Sequence, residues 1–263
     1  MESTLEKIST TMEQVERKTD PKSSFYILVS EKSTKIRTRY NPLIDLDVRK
    51  KYEMALVNLE TYYSFPNIDA TNNNFKYSPD GGSTWVEIAI PEGCYELADI
   101  NEYVQRTMKE AGHYDSVKED YCISLQANSN TLKSVLNIAP DYSVDLTPVN
   151  SIGSVLGFRS GEYLEGYNES EDIVDIVSVT SLRVTSDIIG ASYTNGTTGN
   201  VIYSFFPNVG PGYKIIETPT NLIYLPVTLH TISSMETRFT DQDGTLINLR
   251  GEELSIRFHL REV

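Results

Sequence analysis

The hydrophobic pattern of this chain changes period once, early. Leu5, Ile8, Met12 and Val15 follow the 3-4-3 spacing that lines one face of a helix, flanked by polar and charged residues. A helix of about 15 residues is marginal alone in water, so this segment either docks on something or frays. It holds too few heptads for a coiled coil. Asp20-Pro21-Lys22-Ser23-Ser24 then breaks the pattern, because proline cannot continue a helix. The expected organisation is an N-terminal arm and linker over 1–23 and a body over 24–263.

From Phe25 onward the period is two. Strands are predicted at 25–29 and 52–65, where Ala55, Val57, Leu59, Thr61 and Tyr63 alternate with Met54, Leu56, Asn58, Glu60 and Tyr62. Segments 73–77 and 85–90 flank Ser78-Pro79-Asp80-Gly81-Gly82, whose residues supply the dihedrals of a hairpin connection. One body helix is predicted over 99–110, with Leu97, Ile100, Val104 and Met108 on one face and Gly112 ending it. Further strands are expected at 121–126, 131–138, 173–179, 181–185, 201–205, 213–217, 221–225, 227–233, 245–249 and 253–259. Turn residues separate them, and no repeat of 20–50 residues appears. Many short strands with one or two helices predict an all-β antiparallel sandwich or barrel.

Charge narrows the choice of partner. The 263 residues carry 23 Lys/Arg and 37 Asp/Glu, a net charge of -14. Residues 1–60 hold 11 basic against 10 acidic side chains and residues 61–263 hold 12 against 27. The body should repel phosphates, so any nucleic-acid contact falls to the N-terminal arm. No run of 18 apolar residues exists, and the first residues form neither a signal peptide nor a membrane span. Cys94 and Cys122 fit reduced thiols at least as well as one bridge, and their pairing stays open.

Candidate chemistry is sparse. Asp241-x-Asp243-Gly244 begins like a calcium loop, but Thr245 and Leu246 stand where further ligand and glycine are required, so an Asp-Gly turn is expected. Glu162, Glu165, Glu169, Glu171, Asp172 and Asp175 read as a solvated acidic loop. His113, His230 and His259 are isolated, without paired zinc spacing. No nucleophile elbow, P-loop or dinucleotide fingerprint occurs, and Gly210-Pro211-Gly212 reads as a turn. Asn168-Glu169-Ser170 and Asn195-Gly196-Thr197 match the glycosylation pattern by chance. No catalytic, metal or cofactor site is expected, and the chain reads as a non-enzyme.

Five stretches, in order, carry a family resemblance. They are Ile90-Pro-Glu-Gly-Cys-Tyr-Glu-Leu97 with Asp99-Ile-Asn101, then Asn150-Ser-Ile-Gly-Ser-Val-Leu-Gly-Phe158, then Ser204-Phe-Phe-Pro-Asn-Val-Gly-Pro-Gly-Tyr213. Ile223-Tyr-Leu-Pro-Val227 and Phe239-Thr-Asp-Gln-Asp-Gly-Thr-Leu-Ile-Asn-Leu-Arg-Gly-Glu-Glu253 complete the set. Together they resemble the penton, or minor capsid, protein of Polinton/Maverick elements and adintoviruses. The resemblance implies a single jelly roll that forms homopentamers at the vertices of an icosahedral virion, among double jelly-roll major capsid proteins. It implies assembly inside the host cell, in the nucleus. Leu5, Ile8, Met12 and Val15 are then the expected capsid-interface residues. An Arg-Gly-Asp tripeptide, which adenovirus-type pentons carry, is missing. The alternative is a jelly-roll binding module for host attachment or carbohydrate recognition.

Overall fold

The computed structural model describes residues 24–115, 120–177, 179–194 and 196–263. The chain opens with β1 (Ser24–Glu31), β2 (Lys35–Asp45) and β3 (Tyr52–Tyr62). A long insertion follows. It holds the hairpin β4 (Asn74–Ser78) and β5 (Val86–Ala89), the helix Leu97–Glu110, β6 (Ile123–Asn128), β7 (Lys133–Ile138) and β8 (Ser143–Asp145). The one-turn helix Gly153–Leu156, β9 (Glu162–Tyr163) and β10 (Gly166–Glu169) complete it. The chain then returns through β11 (Leu182–Ser186), β12 (Ser192–Thr194), β13 (Thr197–Gly199) and β14 (Val201–Phe205). It ends with β15 (Lys214–Glu217), β16 (Leu225–Pro226), β17 (Thr231–Thr240) and β18 (Leu254–Glu262).

Two sheets form the main body, one ordered β1-β18-β3-β15 with β16 on β3, the other β14-β11-β17-β2. Lettered B to I along the chain, the eight principal strands give B-I-D-G facing C-H-E-F. Every pairing is antiparallel. That double Greek key is a jelly roll. Alternation explains it residue by residue: Ile27, Val29, Ile256 and Phe258 point inward from one sheet and meet Val184, Met235 and Phe239 from the other.

The insertion builds a second core. Phe75, Tyr77, Ile100, Val104, Met108 and Leu136 belong to a hydrophobic cluster separate from that of the sandwich. The helix lays Ile100, Val104 and Met108 on it, and the Asp99 carboxylate accepts the Glu96 backbone N–H at 2.8 Å to close a capping box. The expected hairpin of β4 and β5 forms, with Asn74 opposite Ala89 and Tyr77 opposite Val86, and the connection passes through Gly81 and Gly82, both with positive φ.

Several expected strands are corrected. Residues 173–177 form no strand. Val174 donates to the Leu132 carbonyl and Asp175 to that of Val155, so the segment is tied to a turn and to the one-turn helix instead of to a ladder. Residues 245–249 likewise form none; Asp241 Oδ1 accepts the N–H groups of Asp243 and Thr245 and curls the chain into a turn. The strand expected at 221–225 shrinks to β16, and the one at 227–233 joins the ladder only at Thr231. β2 forms where the hydrophobic pattern predicts no strand.

One ion pair stitches the insertion. Lys76 on β4 and Asp145 on β8 are register partners, and Lys76 Nζ lies 2.7 Å from Asp145 Oδ2. Burial alone would raise the Asp145 carboxyl, but donors from Lys76 and Thr147 outweigh it and hold it below the ordinary carboxylate range. A depressed folded-state value means stabilisation present above the unfolded pKa, about 3.9, and lost as pH falls through the folded value. Acid unfolding followed at Trp85 should therefore steepen below about pH 4, and Asp145→Asn should flatten that dependence. An unaltered acid profile in the variant would contradict the assignment.

Candidate assembly surfaces

Strand directions give the sandwich two unlike ends. One end gathers the turn after Glu31, the whole insertion, residues 206–213 and residues 241–253, because β1, β3, β14 and β17 all finish there. The other, the base, holds Ser24, residues 46–51, the β12–β13 hairpin, residues 218–230 and Val263. Charge divides the same way. Residues 66–177 carry six Lys/Arg against nineteen Asp/Glu, while the rest of the chain carries seventeen against eighteen. The insertion is thus a polyanionic body standing on one end of a nearly neutral sandwich.

The outer face of the β1-β18-β3-β15 sheet is aromatic and mixed. Tyr26 and Leu28 on edge strand β1 are 65% and 58% exposed, and Ile216 on the opposite edge strand β15 is 61% exposed. Between them, the Tyr26 and His259 rings lie 5.0 Å apart, and the Tyr224 hydroxyl sits 2.8 Å from His259 Nδ1. The Arg261 guanidinium covers the Tyr224 ring at 3.5 Å and bonds Glu53 at 3.2 Å. Such a blend of aromatic, arginine and aliphatic surface is the composition of protein–protein contacts. Sequence reasoning missed this face. Its signal was the unbroken run Phe25-Tyr26-Ile27-Leu28-Val29, apolar on both sides of one strand.

The outer face of the other sheet is cationic. Lys35, Arg37 and Arg39 alternate outward along β2 beside Glu236 and Arg238 of β17. Arg238 reaches Glu236 at 2.7 Å and holds its carboxyl below the usual range. Charged outward side chains on a free edge blunt unwanted strand pairing. At the other edge, burial and the acceptor Glu217 raise the Tyr203 hydroxyl to about 12, so the 2.7 Å bond between them stays a neutral donor to an anion.

Leu5, Ile8, Met12 and Val15 lie outside the described residues. Among the described residues no group of three or more His, Cys, Asp or Glu side chains could hold a metal, and no helix is long and apolar enough to cross a membrane. His113 accepts or donates a 2.7 Å bond with Tyr77, a structural role, and His259 is held as described. Cys94 and Cys122 are free; burial raises the Cys94 thiol, which keeps it protonated at neutral pH. The acidic segment is partly structural: Glu171 accepts the Arg159 backbone N–H at 3.0 Å, and Glu169 accepts from Asn128 at 2.8 Å.

Fold and surfaces together define a jelly-roll protein with a large acidic insertion between its third and fourth sandwich strands. No family model and no curated protein matches the chain. Among solved structures it is similar to the penton protein of mavirus, with a TM-score of 0.48 and 13% identity over 91% of this chain and 99% of that one. It is also similar to the D2–D3 domains of the flagellar cap protein FliD from Escherichia coli, with a TM-score of 0.14 and 11% identity over 83% and 100%. At these values the fold assignment rests on strand order, not on either likeness.

Proposed function

We propose that this protein is a structural capsid protein whose jelly roll assembles into a ring, a homopentamer, at the vertex of an icosahedral shell. The observation that carries the reading is the arrangement of one molecule: a neutral sandwich exposing apolar side chains on both edges of one sheet, with the acidic insertion confined to one end. In a ring of heterologous contacts the Tyr26 and Leu28 edge of one copy meets the β15 edge of the next, so no self-matching patch is needed. All insertions then rise on the same side, outward, where like charge favours solvation. The sandwich bases face inward and contact double jelly-roll major capsid proteins. Assembly in the host nucleus, and any nucleic-acid contact through the basic residues of the arm, belong to the same reading. The five sequence stretches that resemble pentons support it independently of the surfaces.

Light scattering on the purified chain across a concentration series tests it. The expected mass is near five times 29.6 kDa, and Tyr26→Glu with Leu28→Glu should return the protein to 29.6 kDa without loss of fold. A monomer at every concentration that binds glycans would move the assignment to an attachment module.

A further inference from the structure

The base of the sandwich contains a cleft of about 270 Å³ lined by Lys50, Lys51, Val227, Leu229, His230 and Val263, among others. We infer that it receives the N-terminal segment of the same polypeptide, with Ile8 and Met12, the middle of the apolar stripe of Leu5, Ile8, Met12 and Val15, seated against Val227, Leu229 and Val263.

Three observations converge on that occupant. The first is position. Ser24 pairs with Arg261, Arg261 with Glu53, and Glu53 with Pro226, so the cleft lies about three strand spacings, roughly 15 Å, from the residue where the described chain begins. Residues 16–23 span up to about 26 Å when extended, which is ample. The second is surface. Leu229 and Val263 are 44% and 70% exposed although the backbone around them is fixed: Val227 donates to the Tyr52 carbonyl at 2.9 Å and Val263 to that of Lys51 at 3.0 Å. An apolar cavity of about 150 Å³ admits one benzene, so this volume suits about two aliphatic side chains. The third is charge. At about 100° per residue, Glu2, Glu6, Glu13 and Glu16 fall in one sector beside the apolar stripe. The cleft offers Lys51, which makes no ion pair among the described residues; its other charged side chains are engaged, Lys50 at 2.9 Å from Glu262 and Glu53 at 3.2 Å from Arg261.

The same chain is a better source than a neighbour because a short tether gives a high effective concentration. The inference stands apart from the capsomer reading: a seated arm in a chain that never assembles would keep the one and remove the other.

The test uses the full chain with Met12→Cys and Leu229→Cys, joined by a short bis-maleimide, and the two single variants as controls for Cys94 and Cys122. An intramolecularly linked monomer is expected, its yield independent of protein concentration. Ile8→Asp in that background should lower the yield at least about tenfold, since a charge would enter an apolar contact. Hydrogen exchange at residues 227–230 should accelerate in the Ile8→Asp and Met12→Asp full chain without the reporter cysteines. No link above the controls, or linked dimers alone, would overturn the inference, as would unchanged exchange in the aspartate variant.

Discussion

Gly157→Ala is expected to remove about 2–6 kcal/mol from the inserted body, the sum of a left-handed backbone penalty and an overpacking penalty of about 1–3 kcal/mol each. Gly157 has φ of 79° and closes the one-turn helix Gly153–Leu156. A Cβ there would stand 2.3 Å from the Asp172 carbonyl oxygen and 2.8 Å from that of Ile173. Neither is a side-chain tip that could swing aside. The backbone approaches because the Asp172 N–H donates to the Gly157 carbonyl at 2.9 Å, and this bond fixes the start of the segment that carries Ile173 and Val177. Urea unfolding followed by Trp85, the single tryptophan and a residue of the insertion, reads the change. With a slope near 2 kcal/mol per molar urea, the midpoint should fall by about 2 M. A loss under about 1 kcal/mol would mean that the Asp172–Ile173 backbone yields, and that the glycine marks no constraint.

That glycine also shows why part of the molecule was readable from sequence and part was not. Local signals were strong where the chain closes on itself: the β4–β5 hairpin, the capped helix and the turn at Asp241 all lie within a few residues of their own cause. The double Greek key was beyond period and propensity, because β3 pairs with β18 some two hundred residues away and nothing in either strand names the other. The resemblance to pentons supplied the jelly roll in its place. β2 escaped although Ile36, Thr38 and Tyr40 alternate with Lys35, Arg37 and Arg39; the basic residues masked the alternation, and Asn41-Pro42 cut it short. Residues 173–177 misled in the opposite direction. They look like a strand because Ile173 and Val177 are apolar, yet both are exposed, at 61% and 48%.

Charge was legible in amount and misplaced in position. A boundary at residue 60 assigned the acidity to the whole body, whereas the structure confines it to residues 66–177. The insertion begins and ends in the same place, between β3 and β11, so a linear count cannot isolate it without knowing that the chain leaves the sandwich and returns. The interface residues proposed from sequence and those exposed on the sandwich are different sets. The first depends on an amphipathic arm, the second on sheet edges that become visible only when the sheets are assembled.

Phe239→Ala should cost the sandwich about 3–5 kcal/mol, the usual loss when a buried aromatic leaves a cavity that rigid neighbours cannot fill. Phe239 is fully buried on β17, its ring is stacked on Phe205 at 6.4 Å, and its N–H donates to the Thr34 carbonyl at 2.8 Å, so both sheet edges hold the site open. The two cores share no buried residue, and the hydrogen bonds that cross from sandwich to insertion include Asn248 Nδ2 to Glu92 at 3.0 Å and Cys94 Sγ to the Phe65 carbonyl at 3.2 Å. Contacts of that kind contribute about 1 kcal/mol each at most when solvated. The two bodies should therefore unfold separately. In urea, far-UV circular dichroism of Phe239→Ala should show a transition moved down by about 2 M, while the Trp85 midpoint moves by less than about 0.5 M. Trp85 falling in step with the sandwich would show one cooperative unit, and the insertion would then owe its stability to the jelly roll beneath it.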